Sequence, residues 1–186
     1  MFRWMVFLPL LIGSTALLML EATGCSANAN EAPVQIQLGI YTQDCVDVLD
    51  ASTAPGANLQ LYACGAGKLS QEWMIQHVPN SPDVMVVNEN SKLCMSVASP
   101  NDTALGQYVI QATCASTDPD MQWKLEQAPN GVPGWQYINV ASGQCLDDPY
   151  GMTDPPDTYH LQQYTCTAED PAQGWINNPV QLGDTP

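Results

Sequence analysis

The sequence predicts an all-β fold made of three pseudo-symmetric repeats of about 50 residues, and three observations lead to that prediction. Cysteines recur in pairs, each second cysteine stands nine residues before a tryptophan, and apolar residues flank both cysteines at matching positions. The composition agrees, because 2 Phe, 7 Tyr, 5 Trp, 13 Gly and 15 Pro favour short strands and turns over long helices. No helical periodicity is visible after residue 25.

Three columns of residues define the repeat, at intervals of about 50 residues. The first cysteine, second cysteine and tryptophan of the units are Cys45, Cys64 and Trp73; Cys94, Cys114 and Trp123; and Cys145, Cys166 and Trp175. Apolar columns lie seven residues before the first cysteine, directly after it, and five residues before the second cysteine: Leu38, Val87 and Ile138; Val46, Met95 and Leu146; Leu59, Val109 and Leu161. A propeller needs about four or more blades. Three units of four short strands instead predict the twelve strands of a β-trefoil over residues 34–182.

Six of the 7 cysteines lie within the repeats, where spacing alone allows many pairings. Equivalent residues of a repeat should pair equivalently, which selects Cys45–Cys64, Cys94–Cys114 and Cys145–Cys166. A zinc site is the alternative, but the close Cys-x-x-Cys pairs typical of zinc ligands are missing. Each predicted bridge closes a loop of about 20 residues, which contributes about 3 kcal/mol to stability in the loop-entropy picture.

Residues 1–24 have the features of a signal peptide, because Arg3 precedes a long uncharged run and small residues follow it. Two processing routes stay open. Residues 22–25 resemble a lipoprotein site at which Cys25 is lipidated, whereas residues 27–29 resemble an ordinary cleavage site that frees the protein near residue 29. An uncleaved anchor helix is a third reading, for which the run is slightly short.

Cys25 is the odd cysteine, and lipidation explains an odd cysteine in an exported protein. We therefore expect an exported protein, either secreted or a lipoprotein of a bacterial cell envelope, with a linker over residues 25–33 and a tail over residues 183–186. Export also permits disulfide bonds. Any membrane attachment would then depend on a lipid at Cys25.

Charge argues against some classes of partner. Only 4 Lys and Arg stand against 19 Asp and Glu, which gives a formal net charge of −15. Such a surface repels phosphate backbones and anionic lipid head groups, so we expect no binding to nucleic acid. We also expect a monomer without a cofactor.

Short motifs within the repeats resemble those of the ricin B-type lectin family. Q-x-W motifs stand at residues 71–73 and 173–175. Openings similar to C-L-D-V stand at residues 45–48 and 145–147. Strands similar to Q-L-W-x-C stand at residues 60–64 and 162–166. The resemblance covers residues 34–182, nearly the whole chain after the leader. It implies a β-trefoil lectin that binds glycans with galactose-like residues.

The resemblance implies one sugar pocket in the first repeat and one in the third. The implied binding residues are Asp47, Gln60, Tyr62, Ser70 and Gln71, and Asp147, Gln162, Tyr164 and Gln173. In such a pocket the aromatic ring packs against the apolar face of the sugar, and the ionised aspartate accepts hydrogen bonds from two hydroxyls. The middle repeat has Ser96, Ile110, Ala112 and Met121 at these positions, so we expect it to be structural only.

Other readings remain beside the lectin. Asp47 and Asp147 also suit turn caps, and the glutamines of the Q-x-W motifs also suit a purely structural role. The Pro-rich loop over residues 148–157 suits a protein-binding module or a protease inhibitor. We expect no enzyme, because the sequence contains no G-x-S-x-G motif and neither of its 2 histidines stands in a metal or triad pattern.

Overall fold

The computed structural model describes residues 32–99, 104–149 and 160–180. The described residues form twelve β-strands and four short 3₁₀ turns, with no α-helix among them. The strands are β1 (Val34–Leu38), β2 (Tyr41–Val48), β3 (Leu59–Ala63), β4 (Trp73–His77), β5 (Val84–Asn88), β6 (Cys94–Val97), β7 (Gln107–Ala112), β8 (Trp123–Gln127), β9 (Trp135–Asn139), β10 (Cys145–Asp147), β11 (Gln162–Tyr164) and β12 (Trp175–Pro179). The 3₁₀ turns are Leu49–Ala51, Leu69–Gln71, Pro119–Met121 and Pro171–Gln173. The predicted all-β fold is therefore confirmed.

The strands form a closed barrel and three hairpins. Strands β1, β4, β5, β8, β9 and β12 pair in that order, and β12 pairs back with β1, so the ring has no free edge. Each repeat adds one hairpin: β2–β3, β6–β7 and β10–β11. The hairpins also contact one another, through β7 with β11 and through two isolated bridges. This three-fold arrangement of twelve strands is the predicted β-trefoil.

Three fully buried tryptophans fill the barrel, one at the start of the last strand of each repeat. Each indole Nε1 donates a hydrogen bond of 3.0 or 3.1 Å to the backbone carbonyl of the residue after the first cysteine. These bonds give the buried N–H groups the partner that they need. Two of the predicted apolar columns are also buried in the core at 0% exposure: Val46, Met95, Leu146, Leu59, Val109 and Leu161.

The remaining apolar column, seven residues before the first cysteine, does not join equivalent residues, because the first repeat is shifted by one residue. A barrel tryptophan pairs with Leu38 on β1 but with Asn88 on β5, so Leu38 corresponds to Asn88 and not to Val87. The register shifts between Gln37 and Leu38, and Gln37 lies opposite Cys45. The first repeat therefore has one extra residue before its cysteine, an irregularity that counting back from the cysteine cannot detect.

The three predicted disulfides are present, with Cα–Cα distances of 5.0, 5.1 and 5.0 Å. Each bridge joins the strand that opens a hairpin to the residues that follow its second strand. Three disulfides are typical of a protein in an oxidising environment. Within the described ranges, no helix has the length and apolarity to cross a membrane. The predicted leader, Cys25 and the tail over residues 183–186 lie outside the described residues.

We expect the double substitution Cys94→Ala and Cys114→Ala to lower the free energy of unfolding by about 2–4 kcal/mol, because the bridge no longer restricts the unfolded chain. Urea denaturation followed by tryptophan fluorescence measures this loss. An unchanged unfolding midpoint would contradict the expectation.

Candidate functional site

Strand register brings three predicted site residues of the first repeat onto one face. Strand β2 pairs with β3 so that Asp47 lies opposite Gln60. Residues two positions apart on a strand share a face, so Tyr62 lies on the same side as Gln60. Between them, Val46 and Leu61 face the core at 0% and 1% exposure. The hairpin therefore directs its polar and aromatic residues outward and its apolar residues inward.

These residues line a surface pocket of about 590 Å³. The lining residues are Asp47, Asp50, Ala51, Gln60, Tyr62, Lys68, Leu69, Ser70 and Asn90. Four of the five residues predicted for the first repeat are thus brought together in one concavity, and only Gln71 is not in its lining. The pocket has the size and mixed polar and aromatic lining that suit a small polar ligand.

The Asp47 carboxylate is nearly buried, at 7% exposure, and only one of its oxygens has a donor. Gln60 Nε2 donates to Asp47 Oδ2 over 3.2 Å. Asp47 Oδ1 and Gln60 Oε1 accept no hydrogen bond from any described residue. A buried acceptor without a donor costs free energy.

Gln71 is fully buried and holds the loop that follows β3. Its Oε1 accepts from the backbone N–H of Gly65 over 2.8 Å, and its Nε2 donates to the carbonyl of Ala63 over 3.0 Å. Gln173 makes the same pair of bonds in the third repeat, to Thr167 N–H and Thr165 carbonyl, each at 2.9 Å. The glutamine of the Q-x-W motif therefore shapes the loop beside the first pocket without lining it.

Several lining residues were missed in the sequence, and two of them belong to a strained turn. Asp50 and Ala51 have φ angles of 56° and 50°, in the left-handed region that non-glycine residues rarely adopt. Asn90, from the second repeat, donates its Nδ2 to the carbonyl of Ala51 over 3.0 Å. No motif marks Asn90, because its role depends on contact between two different repeats.

The same turn is anchored a second time from the middle repeat. Gln111 is fully buried, and its Nε2 donates to the carbonyls of Ser52 and Ala54 at 2.8 and 2.9 Å. Its Oε1 accepts from Ser91 Oγ over 2.7 Å. Strained backbone persists where its surroundings determine it from several sides. The middle repeat therefore builds part of the wall of the first pocket.

Lys68 is the other missed residue of consequence. Its ammonium lies over the Tyr62 ring, 4.8 Å from the centroid, as in a cation–π contact. It stands five residues before the repeat tryptophan, where the other repeats have Asp118 and Asp170. Alignment of the three repeats at their tryptophans would have identified this exception.

The third repeat has the same register but a more occupied carboxylate. Asp147 lies opposite Gln162, and Tyr164 is 42% exposed on the same face. Gln162 Nε2 donates to Asp147 Oδ2 over 2.7 Å, and Gln173 Nε2 donates to Asp147 Oδ1 over 3.1 Å. Both oxygens therefore have a protein donor, unlike those of Asp47. Most of the adjacent Pro-rich loop, residues 150–159, lies outside the described residues.

Burial raises the pKa of Asp147 from its ordinary 3.8 to about 6. Hydrogen bonds from Gln162 and Gln173 oppose this rise in pKa, and the negative charges of Asp170 and Asp148 add to it. Asp147 is 4% exposed, which accounts for the dominant cost of ionising it.

The middle repeat has lost the polar set. Ser96 Oγ donates to a neighbouring carbonyl over 3.2 Å, and the apolar Ile110 and Ala112 occupy the positions of the glutamine and the tyrosine. Met121, at 9% exposure, packs with the Cys94 side chain instead of bonding to a loop. In the described part of the chain, no group of three or more His, Cys, Asp or Glu residues is arranged to hold a metal ion.

Comparison with known proteins points to one family. A sequence model of the ricin-type β-trefoil lectin domain matches residues 32–175. A search of curated protein sequences gives no match. Among solved structures, the designed three-fold symmetric protein ThreeFoil has a TM-score of 0.69 at 22% identity, with 80% of this chain and 99% of ThreeFoil covered.

Two natural lectins are similar at the level of the fold. An agglutinin from Rhizoctonia solani has a TM-score of 0.66 at 17% identity, with 80% of this chain and 95% of the agglutinin covered. A lectin from Polyporus squamosus, solved with the epitope Neu5Aca2-6Galb1-4GlcNAc, has a TM-score of 0.66 at 15% identity. That match covers 81% of this chain and 49% of the lectin.

We expect the free energy of unfolding to decrease, relative to that of an Asp147→Asn variant, as the pH rises from about 4 to about 6. Because the pKa of Asp147 is raised from 3.8 to about 6 on folding, the unfolded chain loses this proton first and is favoured across that window. Above about pH 6 the difference should be constant.

Urea denaturation of both proteins at several pH values gives this difference in unfolding free energy. A Glu126→Gln variant, changed at an exposed position on β8, controls for the loss of one charge. A difference for Asp147→Asn that does not change with pH would show that Asp147 has an ordinary pKa in the folded protein.

Proposed function

Because the chain belongs to the ricin-type β-trefoil lectin domain family, we propose that it binds carbohydrate and takes a galactose-like sugar into the pocket of the first repeat. The observation that carries this proposal is the convergence of Asp47, Gln60, Tyr62 and Ser70 on one surface pocket. These residue types stand at the positions that the family resemblance implies for sugar binding.

The chemistry of the pocket supports a hexose. Asp47 and Gln60 bring a carboxylate and an amide to the pocket lining, and sugar hydroxyls supply donors and acceptors at neighbouring ring positions. Tyr62 is partly exposed beside them, so the part of its ring that Lys68 leaves uncovered can pack against the apolar face of a galactose-like ring. Ser70 Oγ adds a further polar group to the lining. The polar residues of the pocket thus suit the hydroxyls of a sugar, and the Tyr62 ring suits its apolar face.

We infer that the first pocket is the stronger of the two. In the third repeat Gln173 donates to Asp147 Oδ1, whereas the corresponding Asp47 Oδ1 of the first repeat has no donor among the described residues. Ala172 stands there in place of Ser70, so its side chain offers no hydroxyl. Both oxygens of Asp147 already have a protein donor, so a sugar at the third site would satisfy no unpaired acceptor of Asp147 and the net gain is smaller.

We propose binding rather than catalysis as the activity. A pocket open to solvent buries few atoms of a monosaccharide, so a dissociation constant of about 1 mM is the expected scale. A weaker second site on the same rigid domain would strengthen binding to multivalent glycans without new contacts. Export guided by residues 1–24, and lipidation of Cys25, remain predictions that accord with the three disulfides.

We expect the wild-type protein to be retained on immobilised galactose and released by free galactose or lactose. Asp47→Asn should lower the affinity for galactose about tenfold or more, because it replaces a charged acceptor by a neutral amide. Isothermal titration calorimetry with galactose measures the change, and circular dichroism verifies the fold.

Glu126→Gln serves as the matched control, since it removes one carboxylate from an exposed strand position that does not line the pocket. Its affinity should equal that of the wild type. Loss of binding in Asp147→Asn with full binding in Asp47→Asn would assign the sugar to the third repeat instead. A folded wild type that binds neither galactose nor any glycan on an array would overturn the proposed function.

A further inference from the structure

Lys68 occupies a position at which an acidic residue would serve the fold better. In the second and third repeats the equivalent Asp118 and Asp170 accept a hydrogen bond from the backbone N–H two residues on, at 3.1 and 3.0 Å. Each carboxylate thereby caps a 3₁₀ turn. Lys68 precedes the corresponding turn of the first repeat and makes no side-chain cap. The first repeat thus lacks a local stabilising contact that both sister repeats have.

The Lys68 side chain is also held in place. A Cβ atom at Gly65 would come within 2.5 Å of Lys68 Cε, so the lysine stem lies directly against the Gly65 backbone. Gln71 fixes that backbone through its bond to the Gly65 N–H. At the end of this stem the ammonium lies over Tyr62, in the lining of the pocket.

The other two lysines among the described residues form ion pairs with carboxylates, and Lys68 does not. Lys92 Nζ lies 2.6 Å from a carboxylate oxygen of Glu89, and Lys124 Nζ lies 3.7 Å from one of Glu126. Lys68 forms no such ion pair within the described ranges, although the chain has 19 Asp and Glu residues. An ammonium without a carboxylate partner in a pocket is available to pair with an acidic group of a ligand.

We propose that the first-repeat pocket prefers a galactose-type sugar that carries a negative charge, a carboxylate or a sulfate, with Lys68 as its counter-charge. The inference rests on the proposed function and adds the class of sugar. Asp47 binds hydroxyls at the floor of the pocket, while Lys68 binds the acidic group beside Tyr62. Of the three charged residues in the lining, Asp47, Asp50 and Lys68, only Lys68 is a cation, so it alone can pair with an acidic group.

The test compares galactose with galacturonic acid, galactose 6-sulfate and galactose 3-sulfate by calorimetric or NMR titration at about 50 mM salt. We expect at least one acidic sugar to bind about tenfold more tightly than galactose, the scale of one charge-assisted hydrogen bond. The preference should weaken at about 0.5 M salt, because Lys68 lies in a solvent-open pocket. Tighter binding of carboxylate or of sulfate alone identifies the acidic group.

Lys68→Met keeps an unbranched stem over Gly65 and removes the charge, so it should lower the ratio of acidic-sugar affinity to galactose affinity to about one. Lys68→Arg should keep the preference. Lys124→Met, which removes a lysine outside the pocket, makes the same change in net charge and should also keep it. Lys68→Asp restores the residue of the sister repeats, and should raise the melting temperature while abolishing the preference.

The possible results distinguish the preference for acidic sugars from the proposed carbohydrate-binding function. Galactose binding without preference for any of the three acidic sugars overturns the role of Lys68 and leaves the lectin function standing. An equal loss of neutral and acidic sugars in Lys68→Met also overturns it, since Lys68 would then be a general hydrogen-bond donor. No binding of any sugar by the folded wild type overturns both proposals.

Discussion

The hydrogen bond from each buried indole to the carbonyl after the first cysteine is the contact on which this structure depends. It ties the last strand of a repeat to the strand that opens its hairpin, at 3.0 Å from Trp73 to Val46 and from Trp175 to Leu146. The next residue in each hairpin is Asp47 or Asp147. Because a core tryptophan bonds to the carbonyl directly before it, the backbone at each candidate aspartate is tied to the buried core.

The three repeats share this framework but have different roles. The middle repeat has the same indole bond, from Trp123 to Met95, although its polar set is gone. Its Asn90 and Gln111 instead anchor the strained turn at the wall of the first pocket. The middle repeat, which lacks the polar set of the first, still contributes to the structure, because the closed barrel is built from three units and the first pocket is lined in part by its Asn90.

Differences at equivalent positions separate the first repeat from the third. The third has Gln173 bonded to its aspartate, which leaves neither oxygen without a donor. The first has Gln71 directed only to the loop backbone, so that Asp47 Oδ1 has no donor among the described residues. The first repeat also has Lys68 where its sister repeats have a capping aspartate, so its turn lacks that cap and its pocket carries an ammonium group.

The sequence by itself determined the three repeats and the disulfide pairing, because equivalent cysteines and tryptophans recur at a fixed spacing along the chain. The family resemblance implied that Asp47, Gln60 and Tyr62 lie together, and the β2–β3 register places them on one face. Only the tertiary structure decided the extra residue before Cys45, the contribution of Asn90 to another repeat's pocket, and the raised pKa of Asp147. Each of these depends on distances and burial set by strands far apart in sequence, which no count along the chain contains.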